Sequence, residues 1–170
     1  MKSIFVFLLL SLFSYQAYAG PNVNIGKVGE AKDVQKVIRV QMYDNYFKPA
    51  AYKIKAGQTV KFIVENKGKF VHEFNIGTET QHLKHQPEMA EMSVMEILYP
   101  EYIDKDKMMK MAMINPTMNH SHGNSLLLEP GEKGELIWRF SDNQEILVAC
   151  NVPGHYDVGM IAQVKINQKF

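Results

Sequence analysis

The fold is decided by one stretch of eleven residues near the C-terminus, Cys150-Asn151-Val152-Pro153-Gly154-His155-Tyr156-Asp157-Val158-Gly159-Met160. This stretch places a thiol, an imidazole and a thioether on a single short loop. Pro153 and Gly154 make a reversal of the backbone easy at its middle. We therefore expect the loop to fold back, so that the side chains of Cys150, His155 and Met160 converge on one point.

These three donors indicate a metal, and the softness of the two sulfur groups indicates copper. A trigonal set of two histidines and one cysteine, with a distant methionine, is typical of blue-copper electron-transfer sites. The second histidine must come from elsewhere, and the best candidate is His72. Taken singly, His72, Cys150 and Met160 are each more typical of ordinary core residues. It is their combination that predicts a site.

The first 19 residues are expected to be a cleaved secretory signal peptide. Lys2 gives a basic start, an apolar run follows over residues 4–10, and Ala17-Tyr18-Ala19 forms a small-x-small cleavage site before Gly20. The alternative, a membrane anchor, is disfavoured because spanning a bilayer takes about 20 apolar residues. The mature chain is then expected to work outside the cytoplasm.

The single cysteine favours metal binding, and the net charge argues against one class of partner. A lone cysteine in an oxidising compartment forms no intramolecular disulfide, and its position beside His155 and Met160 favours metal binding. Cleavage at residue 19 removes one lysine and no acid, which leaves 18 basic and 18 acidic side chains. A net charge near zero argues against nucleic acid as a partner.

Short alternating segments predict an all-β fold. After a polar leader over residues 20–35, the pattern predicts a β-sandwich or small barrel of seven or eight strands. This domain, residues 36–170, is expected to be interrupted by one insertion at 77–125. The predicted strands cover residues 36–43, 52–55, 59–65, 70–76, 126–128, 135–140, 145–150 and 159–166.

The insertion (residues 77–125) holds most of the methionines and histidines of the chain. We expect a helix over about 87–98 and a second one over about 102–111. Methionines at helical spacing are usually core residues, which explains Met89, Met92 and Met95. Farther along the insertion, methionines and histidines are more closely spaced, and their thioethers and imidazoles are also typical soft copper ligands. A second copper site is therefore a candidate, with ligands Met118, His120 and His122, joined by His82 or His85.

The Cys-x4-His-x4-Met loop resembles that of the cupredoxins. The segment from Phe47-x-Pro49 through Ile54-x-x-Gly57 to Val60-x-Phe62 is also similar to the early strands of that family, and the likeness covers residues 36–76 and 126–168. It implies a cupredoxin-like Greek-key β-sandwich and one type 1 copper. It further implies His72, Cys150 and His155 as equatorial ligands, Met160 as the axial ligand, and the ring edge of His155 as an electron port.

Two neighbours of these ligands have open interpretations. Asn151 either orders hydrogen bonds around the sulfur or is simply a turn residue. Glu73, next to His72, is interpreted as a solvated or strand-edge charge rather than a catalytic group.

The insertion is similar to that of periplasmic cupredoxin-type copper-resistance proteins. The leading hypothesis is a periplasmic blue-copper protein, not an enzyme, which serves copper tolerance and electron transfer with an unidentified redox partner protein. The first alternative is a dedicated electron shuttle to a respiratory or oxidase complex. The second is a copper-dependent oxidase or dismutase at the second site. Six histidines, two of them already assigned, are too few for a three-copper cluster.

Overall fold

The computed structural model describes residues 24–114, 122–143 and 145–167. The predicted signal peptide lies outside these ranges. Neither helix described is long and apolar enough to cross a membrane.

Within the described ranges, ten strands form two five-stranded sheets, which confirms the predicted all-β sandwich. One sheet has the order β1-β8-β5-β2-β3 and the other the order β4-β10-β9-β6-β7. All eight predicted strands are present, and the two additional ones have three residues each, too few to show an alternating pattern. The strands are β1 (Gly26–Val28), β2 (Lys36–Tyr43), β3 (Tyr46–Lys48), β4 (Ala51–Lys55), β5 (Thr59–Asn66), β6 (His72–Thr78), β7 (Ser125–Leu128), β8 (Lys133–Phe140), β9 (Ile146–Ala149) and β10 (Ile161–Asn167).

Aromatic side chains fill the space between the two sheets. Phe62 of β5 and Phe74 of β6 come from opposite sheets, and their ring centroids lie 5.0 Å apart. Tyr52 packs edge-on against Phe62 at 5.6 Å. All three side chains are buried, and each contributes about 1.5–3 kcal/mol by leaving water. This core holds the strands that carry the metal-site candidates.

The N-terminal strand β1 belongs to the sandwich. It lies within residues 20–35, where the sequence suggested only a polar leader. It pairs antiparallel with β8, with Gly26 opposite Phe140. The indole of Trp138 donates a hydrogen bond to the carbonyl of Ile25 at 3.1 Å. Neither contact leaves a hydrophobic pattern that a sequence would reveal.

Strand β6 is buried along its whole length. It lies inside its sheet, between β9 and β7. One face packs on the core, and helix α1 (Glu79–Val94) lies near the strand as well. Because β6 begins at His72, the core and helix α1 together bury the strand that carries this candidate ligand.

Helix α1 begins eight residues earlier than predicted from Pro87. A capping box sets its start: the Gln81 amide donates to the Thr78 hydroxyl, and the Thr78 amide donates to the Gln81 side chain. Pro87 lies inside the helix instead. Met89 and Met92 are buried and Met95 packs partly against the core, which confirms the core interpretation of these three methionines.

Helix α2 (Lys105–Ile114) has no buried residue. It was predicted over residues 102–111, but Asp104 accepts a hydrogen bond from the Lys107 amide and so caps a later start. Met109 and Met113 are 63% and 85% exposed. The two methionines of α1 are therefore buried, whereas α2 has two exposed methionines and two, Met108 and Met111, that are half-buried against the core.

Candidate metal centre

Three strands deliver the predicted ligands to one end of the sandwich. Strand β6 begins with His72, β9 ends just before Cys150, and β10 begins just after Met160. Because β6 and β9 are antiparallel neighbours, the first residue of one lies near the end of the other. His72 and Cys150 are brought together by this pairing, although 78 residues separate them.

The loop between Cys150 and Met160 is closed by backbone hydrogen bonds. The Cys150 amide donates to the Met160 carbonyl at 3.2 Å, and the Met160 amide donates to the His155 carbonyl at 3.0 Å. Gly154 and Gly159 have φ angles of 84° and 88°, a region that favours glycine. These bonds fix the two ends of the loop and its middle residue relative to each other.

The donor atoms of His72, Cys150 and His155 converge within 4.8 Å of one another. The two Nδ1 atoms are 3.2 Å apart. The sulfur of Cys150 lies 3.4 Å from Nδ1 of His155 and 3.9 Å from Nδ1 of His72. Around one ion, with bonds of about 2.0–2.3 Å to nitrogen and sulfur, a trigonal set of donors would be separated by about 3.6 Å. The three residues therefore fit a single metal ion.

Asp44 fixes which nitrogen of His72 faces the other donors. Its carboxylate lies 3.0 Å from Nε2 of His72 and accepts hydrogen bonds from the amides of Lys69 and Phe70. Although burial alone would raise the pKa of Asp44, these hydrogen bonds lower it. With a proton held on Nε2, the lone pair of His72 stands on Nδ1, as a metal ligand requires.

The thiol of Cys150 is fully buried. Burial raises its pKa to about 12, which outweighs the hydrogen bond that the Glu73 amide donates to the sulfur at 3.3 Å. Without metal the site therefore holds a neutral thiol. Binding an ion must release the thiol proton, and the Glu73 amide is already placed to donate to the resulting thiolate.

His155 is half-buried on the outer side of the three donors. Burial, followed by repulsion from His72, lowers the pKa of His155 to about 4. Burial likewise lowers the pKa of His72, although Asp44 opposes this. Both rings are therefore neutral near pH 7 and can offer a lone pair.

An apolar depression lies beside His155. His155 forms part of its wall. The loop from Cys150 to Met160, the insertion and the segment before β6 contribute the rest: Val152, Pro153, Ser93, Leu98, Tyr99, Pro100 and Phe70. One ring of the metal centre thus borders an apolar surface that a partner could contact.

Glu73 is the main residue that sequence reasoning missed. Interpreted as a solvated or edge charge, it is in fact 1% exposed. Its carboxylate accepts hydrogen bonds from the side chains of Asn75 and Asn151 and lies 3.0 Å from Nε2 of His85. Burial alone would raise its pKa, but His85, Asn151 and Asn75 together lower it. A buried carboxylate on a strand has no distinct sequence signal.

Asn151 supports the centre through Glu73 rather than through the sulfur. It is 1% exposed, and its side chain donates to Glu73 at 2.7 Å and to Nδ1 of His82 at 3.2 Å. His82 is buried as well. The turn-residue interpretation of Asn151 omits these contacts, which depend on the insertion folding back over β6.

The remaining candidate ligands are placed differently. Met160 is fully buried at the end of the loop. Met118 and His120 lie outside the described residues, whereas His122 is exposed, its ring 6.0 Å from that of His85. His85 pairs with Glu73 and Glu88. In the described parts of the chain, no second group of three histidine, cysteine or acidic side chains gathers its donors as the first one does.

The chain is similar in sequence to known proteins. The family model described as "Cupredoxin-like domain" matches residues 3–100. The chain is 39% identical over 163 residues to the copper-resistant cuproprotein CopI of Pseudomonas aeruginosa, covering 91% of this chain and 90% of that protein. It is 30% identical over 142 residues to the CopI of Rubrivivax gelatinosus, covering 83% and 72% respectively.

The fold is also that of a solved protein. The reduced auracyanin of the photosynthetic bacterium Roseiflexus castenholzii superposes with a TM-score of 0.55 at 15% identity. The match covers 78% of this chain and 96% of auracyanin. At this level of identity the likeness establishes the fold alone.

Proposed function

The chain belongs to the cupredoxin family, and from this we propose that it is a periplasmic type 1 copper protein that serves copper tolerance and electron transfer. In this proposal one copper is bound by four residues, His72, Cys150, His155 and Met160. The domain includes strand β1 as well as residues 36–170, with the insertion at 77–125, and residues 1–19 are removed as a signal peptide.

The observation that carries the proposal is the convergence of two Nδ1 atoms and one sulfur within 4.8 Å. Two soft-to-borderline nitrogens and a thiolate suit copper better than a hard cation. Bound copper would supply a one-electron redox centre. The protein's own part is to hold the donors still: Asp44 fixes His72, the backbone bonds fix the loop, and the Glu73 amide donates to the sulfur.

A role in copper tolerance is supported by the relatives, which are named copper-resistant cuproproteins. Tight binding of copper outside the cytoplasm would lower the free ion available to react elsewhere. The proposal assigns no catalytic turnover, in keeping with those names. Met118, His120 and His122 remain candidates for the ligands of a second copper site.

Electron transfer is supported by the position of His155. Its ring lies half-buried between the other donors and the apolar depression, so it offers the shortest route from the metal to a docked partner. A dedicated shuttle would use the same route. Two results together would favour the shuttle over the copper-tolerance role. The purified protein would exchange electrons rapidly with a purified oxidase, and cells lacking the gene would keep their copper tolerance.

The test of the proposed function is genetic. Deleting the gene should make cells sensitive to copper, and the wild-type gene should restore growth. Cys150→Ser should fail to restore it, while Met109→Leu, a change at an exposed methionine, should restore it fully. Unchanged copper tolerance in the deletion strain would contradict the proposed role.

A further inference from the structure

Glu73 contacts two consecutive residues at the start of the loop, Cys150 and Asn151. Its amide donates to the sulfur of Cys150 at 3.3 Å. Its carboxylate accepts from the amide of Asn151 at 3.3 Å and from the side chain of Asn151 at 2.7 Å. Glu73 follows one predicted ligand and Asn151 follows another, so a single buried carboxylate joins the two strand ends that carry the centre.

His85 brings helix α1 into this arrangement. Its Nε2 lies 3.0 Å from the Glu73 carboxylate, and its Nδ1 lies 2.9 Å from that of Glu88. The side chain of His85 is 12% exposed and that of Glu73 is 1% exposed. A buried carboxylate is costly unless it is paired, and the insertion supplies the partner. The pair adds no net charge beside the metal site when both members are ionised.

We propose that Glu73 and His85 are a positioning pair for the Cys150 thiolate, through which helix α1 sets the reduction potential of the bound copper. This inference rests on the proposed function, because it assumes copper at the three converging donors. It adds a role for the insertion that does not require the insertion itself to bind metal.

The physical basis is hydrogen bonding and charge close to the sulfur. Hydrogen bonds around the cysteine sulfur tune the potential of such centres. The carboxylate of Glu73 favours the more positive Cu(II) state, and the cation of His85 offsets this preference. Removing the cation should therefore lower the reduction potential, whereas removing the carboxylate should raise it.

A purely structural tie between α1 and β6 makes a different prediction. If the pair only holds the helix on the sheet, losing either member should loosen the protein in the same way. The two substitutions would then leave the potential unchanged or move it in one common direction. Opposite shifts separate the positioning role from simple packing.

The experiment compares Glu73→Gln, His85→Gln and the control Glu91→Gln in the copper-loaded protein. Glu91 lies on α1 and is exposed, so its change removes a charge that solvent screens. We expect opposite shifts for the first two variants, each equivalent to about a tenfold change in the Cu(II)/Cu(I) equilibrium constant, or about 59 mV for one electron. The control should not shift. Equal or same-direction shifts would overturn the inference.

A second readout uses the metal-free protein. His85→Gln should speed hydrogen exchange at the amides of Glu73 and Asn151 by about tenfold or more. The Asn151 amide donates to the Glu73 carboxylate, and a carboxylate without its buried partner would also move the Glu73 amide that donates to the Cys150 sulfur. Glu91→Gln should leave both rates unchanged. Unchanged exchange in His85→Gln would overturn the inference even if Glu73→Gln did not fold. Wild-type protein without a blue band would instead contradict the proposed function, while exchange still tests the pair.

Discussion

The copper loop (Cys150 to Met160) and the insertion (residues 77–125) are both rich in sulfur and imidazole, but they place these groups differently. The loop holds Cys150, His155 and Met160 in one arrangement closed by backbone hydrogen bonds. The described part of the insertion divides its groups among a buried helix face, the hydrogen-bond network around Glu73 and a partly exposed helix. Donor-rich sequence becomes a site only where the fold makes the donors converge.

Within the insertion, the two helices differ again. Met89 and Met92 of α1 are fully buried, while Met109 and Met113 of α2 are mostly exposed. His82 and His85 of α1 face the metal centre through Asn151 and Glu73. The first helix thus forms part of the core, whereas the second leaves two of its four thioethers largely exposed to solvent.

The largest effect is expected in the loop. Cys150→Ser should abolish the intense thiolate-to-copper absorption, because the thiolate is the group that gives rise to it. The visible spectrum of the copper-loaded variant measures this. Met113→Leu is the matched change in the insertion and should leave the band intact, so a band that needed Met113 would break the distinction between the two regions.

The next effect separates the two helices. Met92→Ala should reduce the free energy of unfolding by about 2–5 kcal/mol, as expected for truncating a buried methionine. Met109→Ala should change it by less than about 0.5 kcal/mol, since its side chain is largely exposed. Urea denaturation of the metal-free protein measures both. Equal losses would mean that α2 is packed as closely as α1.

The His85–Glu73 pair gives stability that depends on pH. Burial would lower the pKa of His85, but Glu73 and Glu88 raise it to about 9. Because the folded-state pKa lies above the unfolded one, this contribution is complete below about pH 6.5 and is lost as pH rises through about 9. Denaturation of metal-free protein at several pH values should show the loss.

The control for this pH effect is His85→Gln, which should flatten the decline between about pH 6.5 and 9. An identical decline in the variant would mean that another group causes the pH dependence. The His85–Glu73 pair would then not stabilise the contact between helix α1 and the metal centre.

The smallest effect concerns the start of the insertion. Thr78→Ala removes one half of the capping box and should cost about 1 kcal/mol of stability. Thr78→Ser keeps the hydroxyl and should recover most of the loss. If thermal unfolding showed no difference between Ala and Ser, the capping box would not be what fixes the start of α1.

Sequence predicted those features that depend on local pattern. Alternating apolar residues predicted the half-buried strands β2, β5, β8 and β10, since such a strand requires that period. Short segments between turn residues predicted the other longer strands. The loop motif selected His155 and Cys150, and the structure brings these together with His72. The assignment of copper ligands, Met160 included, stays a prediction.

Other features depend on distant contacts and leave no local pattern. Asp44 reaches His72 from a turn 28 residues earlier. Glu73 is stabilised in the interior by His85 and two asparagines, so its burial follows from the placement of α1. The start of α1 was mispredicted because Pro87 was given more weight than the Thr78–Gln81 capping box, which the sequence does contain.

The most direct test of the account is a visible spectrum of the purified mature protein with added Cu(II), together with a count of copper per chain. The account predicts an intense blue thiolate-to-copper band that saturates with the first copper bound. Additional copper without further change in that band would indicate a second site, for which the insertion supplies the candidate ligands. Absence of the blue band would contradict the assignment of Cys150 as a copper ligand, and with it the central claim.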